Sequence, residues 1–196
     1  METKRSHQIK RTTKETDITL SFSIDGQGKS SLNTGIGFFD HMLDLFAVHG
    51  IFDLEVQVTG DLHVDAHHTV EDVGLCLGTA IRESLGDFKG ITRYASGFFP
   101  MDDSLCQIAI DVSGRPFLSI EQLPGQLLGT FHSELVEEFF RAVVHNAGIN
   151  LFIEWPKKGN MHHVIEALFK GFGVLLDRAT QIDARRTGVP STKGVL

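Results

Sequence analysis

A chain of 196 residues with 41% hydrophobic and 22% charged residues has globular composition and ordinary domain size, which excludes a disordered or fibrous protein. Its formal net charge of -7 argues against an extended surface for nucleic acid or acidic membrane. No apolar run approaches the roughly 20 residues that cross a bilayer, and the opening METKRSHQIKRTTKE has charge but no apolar signal core. A cytoplasmic protein without nucleic-acid or membrane partners is expected.

Taken in order, residues 6–24 mix β-branched and polar residues in partial alternation, which predicts two strands with a break near Lys14 to Asp17. Phe38, Met42, Leu45, Phe46 and Val48 then fall at helical spacing, and Gly50 is the expected stop. Residues 51–58 alternate as a half-buried strand. A helix is expected from His67 to Leu85, with Asp65 as its cap, Gly86 as its end and Val70, Val73, Leu77 and Ile81 as its buried stripe.

The second part opens with predicted strands at 91–95, 105–112 and 116–121, the last two joined tightly through Ser113 to Pro116. A helix over 134–147 stopped by Gly148, a strand over 149–155 and a helix over 161–182 capped by Asn160 complete the chain. Cys76 and Cys106 form no CxxC pair, so both are read as core residues.

Both parts run helix, Gly, Ile, strand, loop, helix, and the last helix of each begins with the same pattern. His67-His68-Thr69-Val70-Glu71 returns ninety-five residues later as His162-His163-Val164-Ile165-Glu166, and the same offset maps Gly78 onto Gly173. The chain therefore reads as an α+β fold of duplicated halves, residues 1–90 and 91–196, in one compact unit.

On a helix the Glu lies four residues after the first His and three after the second, so either His can share its face. Adjacent histidines diverge by about 100°, so one helix can serve two metals. Adding His41 and His145 gives a candidate ligand set of His41, His67, His68, Glu71, His145, His162, His163 and Glu166. Divided equally, that makes two sites of three His and one Glu, a mixed nitrogen and oxygen set suited to Mn, Fe, Co or Zn. The duplication fails for the single histidines: His41 lies nine residues before Gly50, His145 three before Gly148. His49 and His63 are read as structural or surface residues, and His7 and His132 have no chemical context.

The ordered segments 39–43 (PheAspHisMetLeu), 60–72, 111–116 (AspValSerGlyArgPro), 160–166 and 191–194 (SerThrLysGly) closely resemble the imidazoleglycerol-phosphate dehydratase family of histidine biosynthesis, over nearly the whole chain. The resemblance implies a helical layer between two four-stranded sheets, and a hollow 24-mer with active sites between subunits. It also implies two Mn(II) ions and dehydration of imidazoleglycerol phosphate to imidazoleacetol phosphate through a metal-held imidazolate and a diazafulvene-like intermediate. Glu15, otherwise an unremarkable charge between two strands, becomes the general acid or base. Arg93, Arg115, Lys170, Ser191 and Lys193 become substrate phosphate contacts. Leu45 stands where many members have Gln, and no phosphatase domain accompanies the dehydratase pattern. The rival readings are a binuclear metallohydrolase and a metal-storage or metal-sensing protein.

Overall fold

The computed structural model describes residues 4–196. Strands β1 (Ser6–Thr12), β2 (Thr16–Ser23) and β3 (Ser30–Asn33) are followed by helix α1 (Gly37–Gly50), strand β4 (Asp53–Gly60) and helix α2 (His67–Leu85). The second half repeats the series: β5 (Tyr94–Met101), β6 (Ser104–Asp111), β7 (Phe117–Ile120), α3 (Leu135–Ala147), β10 (Asn150–Lys157) and α4 (Met161–Thr180). A small hairpin, β8 (Leu127–Leu128) with β9 (Phe131–His132), is inserted before α3.

The sheet orders are β1-β2-β4-β3 and β5-β6-β10-β7. In each, the short third strand pairs parallel to its neighbour while the other pairings are antiparallel. Identical topology in both halves is the structural form of the duplication, and both sheets enclose the helices, as expected. Alternation explains which face turns inward: Ile18, Leu20 and Phe22 of β2 and Leu54 and Val56 of β4 are fully buried, and the residues between them face solvent.

The helices pair across the halves rather than within them, α1 with α4 and α2 with α3, while α2 lies on β1 and β2 and α4 on β5 and β6. Glycines permit the close crossings. A Cβ on Gly173 would stand 2.5 Å from the Phe46 carbonyl oxygen, and one on Gly78 2.5 Å from that of Val143. An aromatic column crosses the layer, with Phe46 stacked on Phe172 at 5.4 Å and Phe140 edge-on to Phe172 at 5.3 Å.

Several local expectations are corrected. Gly50 remains in α1, and Ile51 takes the left-handed conformation (φ 58) that ends it. Tertiary packing overrides the usual glycine preference, because a Cβ on Gly50 would meet the Phe52 ring and the Gly173 carbonyl. The strand expected at 91–95 begins only at Tyr94 and runs to Met101, with Ile91 making an isolated bridge to Ile182. The polar β3 and the inserted hairpin have no counterpart in the sequence reading. Cys76 and Cys106 are buried, as expected.

Candidate active site

Both HHxxE helices start with the same bond. The Asp65 carboxylate accepts from His67 N at 2.8 Å, and the Asn160 side chain accepts from His162 N at 2.9 Å. Each acceptor stands two residues before the His and satisfies one free N–H of the first turn. Asn160 is the cap of α4, as expected, whereas α2 begins one residue later, with Ala66 at the cap position.

The cross-half pairing brings α1 against α4 and assembles one cluster. His41 Nε2 lies 2.9 Å from Glu166 Oε1, and His162 Nε2 lies 3.4 Å from the same oxygen. Lys170, one turn further along α4, donates to Glu166 Oε2 at 3.1 Å. Burial opposes charge on Glu166, but hydrogen bonds from His41, Lys170 and His162 overcome it and hold the carboxyl below its ordinary range. The donor atoms of His41, His162 and Glu166 lie within 4.8 Å of one another. Two imidazole nitrogens and an ionised carboxylate at that spacing fit a divalent transition metal with open positions left for further ligands.

The corresponding start of α2 holds His67 Nε2 at 3.9 Å from Glu71 Oε2. α3 offers no histidine at this end, since its single one, His145, is in the last turn. Gly74 faces Phe139 and Ala142, and Gly78 faces Val143 and Asn146, so α2 and α3 run in the same direction. His145, exposed on the last turn of α3, lies beside the Gly78 level, about 10 Å along the helix from Glu71 at 1.5 Å per residue. Counting back from the left-handed residues that end the two helices, Ile51 and Gly148, the position matching His41 is Glu138.

The second histidines point away from these clusters, as the 100° divergence requires. His68 Nδ1 contacts Asp61 Oδ2 at 2.9 Å, and its Nε2 lies 3.8 Å from Glu15 Oε1 at the β1–β2 turn. His163 Nδ1 contacts Asp103 Oδ1 at 3.0 Å, and its Nε2 lies 3.5 Å from Asp102 Oδ2 at the β5–β6 turn. These bonds raise the pKa of both imidazoles, while Asp103 falls to about 2, chiefly through His163 and the Asn160 N–H.

A cationic pocket of about 660 Å³ lies where the C-terminal segment folds over the start of β5. Four of the five residues read as phosphate contacts, Arg93, Arg115, Ser191 and Lys193, line it, together with Arg186, which sequence reasoning did not single out because an Arg in a loop carries no motif. Lys170 is not among its lining residues. Arg93 has φ 79, a costly conformation for a non-glycine residue, and is over-determined. It donates to both Asp111 carboxylate oxygens at 2.6 and 3.1 Å and to the Pro190 carbonyl at 2.7 Å, while its backbone N bonds Ala179 O at 2.7 Å. The Arg93 guanidinium thus pins the C-terminal segment over the start of β5.

Clustered imidazoles and carboxylates on helix starts, with a separate cationic pocket, are groups suited to an enzyme acting on a small charged molecule. Residues 34–176 match the family model for imidazoleglycerol-phosphate dehydratase. The chain belongs to the imidazoleglycerol-phosphate dehydratase family, and it is a hydro-lyase. It is 58% identical over 193 residues to the imidazoleglycerol-phosphate dehydratase of Acetivibrio thermocellus, covering 98% of this chain and 99% of that one. The Geobacillus thermodenitrificans protein of the same name is 54% identical over the same shares. The crystal structure of imidazoleglycerol-phosphate dehydratase from Staphylococcus aureus superposes with a TM-score of 0.82 at 41% identity, covering 91% of this chain and 99% of that one. The Pyrococcus furiosus structure has a TM-score of 0.82 at 34% identity, covering 96% and 100%.

Proposed function

We propose that the protein dehydrates imidazoleglycerol phosphate to imidazoleacetol phosphate in cytoplasmic histidine biosynthesis, with two Mn(II) ions per active site and sites completed between subunits. The observation that carries this reading is the His41, His162 and Glu166 cluster, a donor set closed to within 4.8 Å by residues from both halves. His41, His162 and Glu166 would hold one ion and His67 and Glu71 the other, with His68, His145 and His163 offered to sites shared with neighbouring copies. When bound, the ions supply Lewis-acid stabilisation of negative charge on the substrate's imidazole ring.

The chain's own groups do the rest. Glu15 stands at the tip of a hairpin with its side chain 52% exposed, free to take the carbinol proton and to return one to the departing hydroxyl. The pocket of Arg93, Arg115, Arg186, Ser191 and Lys193 neutralises the phosphate dianion and fixes the far end of the substrate, which aligns the reacting carbons. Lys170 is bonded to Glu166 within the chain, and it becomes available to an anion when that carboxylate turns to a metal.

Two features support assembly of copies, for which we retain the 24-mer. His145 has no matching partner cluster at its own end of α3. The outer face of the second sheet exposes Phe98, Phe117 and Phe152, whereas the equivalent face of the first carries Gln8, Lys10, Thr19 and Glu55. The test is turnover of imidazoleglycerol phosphate before chelation, after chelation and after Mn(II) is restored. Activity lost and regained is the expected result; full turnover by metal-stripped protein overturns the metal assignment, and ester hydrolysis in its place overturns the dehydration.

A further inference from the structure

The duplicated HHxxE helices raise a question that their ligand count leaves open: what fixes the ring of the second histidine, when the Glu of each helix lies against the first? The structure answers it in the same way twice. His68 places Nδ1 at 2.9 Å from Asp61, and His163 places Nδ1 at 3.0 Å from Asp103. A carboxylate only accepts, so each Nδ1 carries the hydrogen. Among the described residues Nε2 of each ring makes no hydrogen bond; its nearest carboxylates are Glu15 at 3.8 Å and Asp102 at 3.5 Å.

The two aspartates reach this position by different routes. Asp61 directly follows β4, and its backbone N bonds the Glu15 carbonyl at 3.0 Å, which anchors it to the β1–β2 turn. Asp103 sits in the β5–β6 turn itself. The β1–β2 turn closes with Thr13 N to Thr16 O at 2.8 Å, leaving Lys14 and Glu15 between; the β5–β6 turn leaves Asp102 and Asp103 between the paired Met101 and Ser104. Glu15 and Asp103 therefore hold the same place in the two halves. A pair of carboxylates that began as equivalents now serve opposite nitrogens of equivalent histidines. Asp103 is itself fixed, accepting from Asn160 N at 3.0 Å and from the Ser104 hydroxyl at 3.1 Å.

We propose that Asp61 and Asp103 are positioning residues, each accepting a hydrogen bond from Nδ1–H of the second histidine of an HHxxE helix so that Nε2 of His68 and of His163 is the atom presented to metal. An outer carboxylate on a ligating imidazole sets its tautomer and orientation and raises its basicity. The proposal rests on the two-metal reading above.

The test measures Mn(II) affinity by electron paramagnetic resonance of free Mn(II) in titrations of the full-length wild type, Asp61→Asn and Asp103→Asn. Thermal stability and assembly size are recorded alongside. An asparagine oxygen can still accept from backbone N–H groups, so the turns keep their bonds while the imidazole loses its anionic partner. Affinity should fall about 10- to 100-fold in both variants with stability and assembly unchanged. Asp61→Asn carries the test if Asp103→Asn fails to fold. Folded variants that bind Mn(II) within about twofold of wild type would overturn the positioning role alone. A wild type that binds no Mn(II) would overturn the two-metal reading and this inference with it.

Discussion

His41 and Glu166 are 125 residues apart in the chain, yet Nε2 of one lies 2.9 Å from Oε1 of the other. Their meeting follows from the pairing of α1 with α4, so the cluster tests the packing of the two halves as well as the ligand assignment. His41→Ala removes a donor without emptying the core, because His41 is exposed. It should weaken Mn(II) binding by about tenfold or more, on the scale seen for loss of metal-site partners, with thermal unfolding nearly unchanged. Equilibrium dialysis followed by metal analysis provides the readout.

Glu15→Gln should retain Mn(II) content and fold, since the Glu15 carboxylate makes no hydrogen bond closer than its 3.8 Å approach to His68. Loss of a general acid or base costs about 10²- to 10⁴-fold in rate. Steady-state kinetics should show that loss in kcat, and a near-normal kcat would remove Glu15 from the proton transfers.

Deleting residues 190–196 takes away Ser191 and Lys193 together with the carbonyl that Arg93 grips at 2.7 Å. The core elements end at Thr180. KM should therefore rise by about tenfold or more, the worth of one charge-assisted contact, while the circular-dichroism melting curve moves little.

The two thiols should be silent. Burial pushes Cys76 up to about 11 and Cys106 up to about 12, and the thiolate is the reactive form. A thiol reagent at pH 8 should label neither residue in the native protein and both after denaturation.

Acid should loosen the clasp between the first strand and the last helix. Arg5 forms a two-pronged ion pair with Asp25 and also donates to Thr180 O at 2.6 Å. The Arg5 hydrogen bond holds the Asp25 carboxyl below its ordinary value of 3.8, against an opposing effect of burial. A carboxyl depressed in the folded state adds stability above its unfolded pKa and loses that contribution as pH falls through the folded value. With Asp25 43% exposed, solvent screening limits the pair to about 0.5 kcal/mol. Asp25→Asn should melt slightly below wild type at pH 7, and the gap should close as pH falls below 3.8 and through the lowered folded-state value.

Much of this was legible in the sequence. The alternation of residues 51–58, the Asn160 cap and the repeated HHxxE each encode their structure locally; the cap and both helices form as read, and the strand forms two residues later, at Asp53–Gly60. The pairing of His41 with the second HHxxE helix instead of the first was not legible, because it depends on helices crossing between halves. Asp61, Asp103 and Arg186 escaped notice for a related reason: a lone charged residue in a turn has no periodicity, and its partner is known only once the turn is placed. The polar β3 and the Pro-containing β5 were missed or truncated because their pairing partners, not their composition, make them strands.

Gly173 touches none of the clustered side chains, yet it sets how closely α4 can approach α1. It lies seven residues, about two helical turns, beyond Glu166, at the point where α4 bears directly on the backbone of α1. A methyl group there would act as a wedge, and its thrust would be carried along two rigid rods to the end where His41 faces Glu166. The smallest side chain in the helix layer thus bears on the distance between two side chains two turns away, although it has no chemistry of its own.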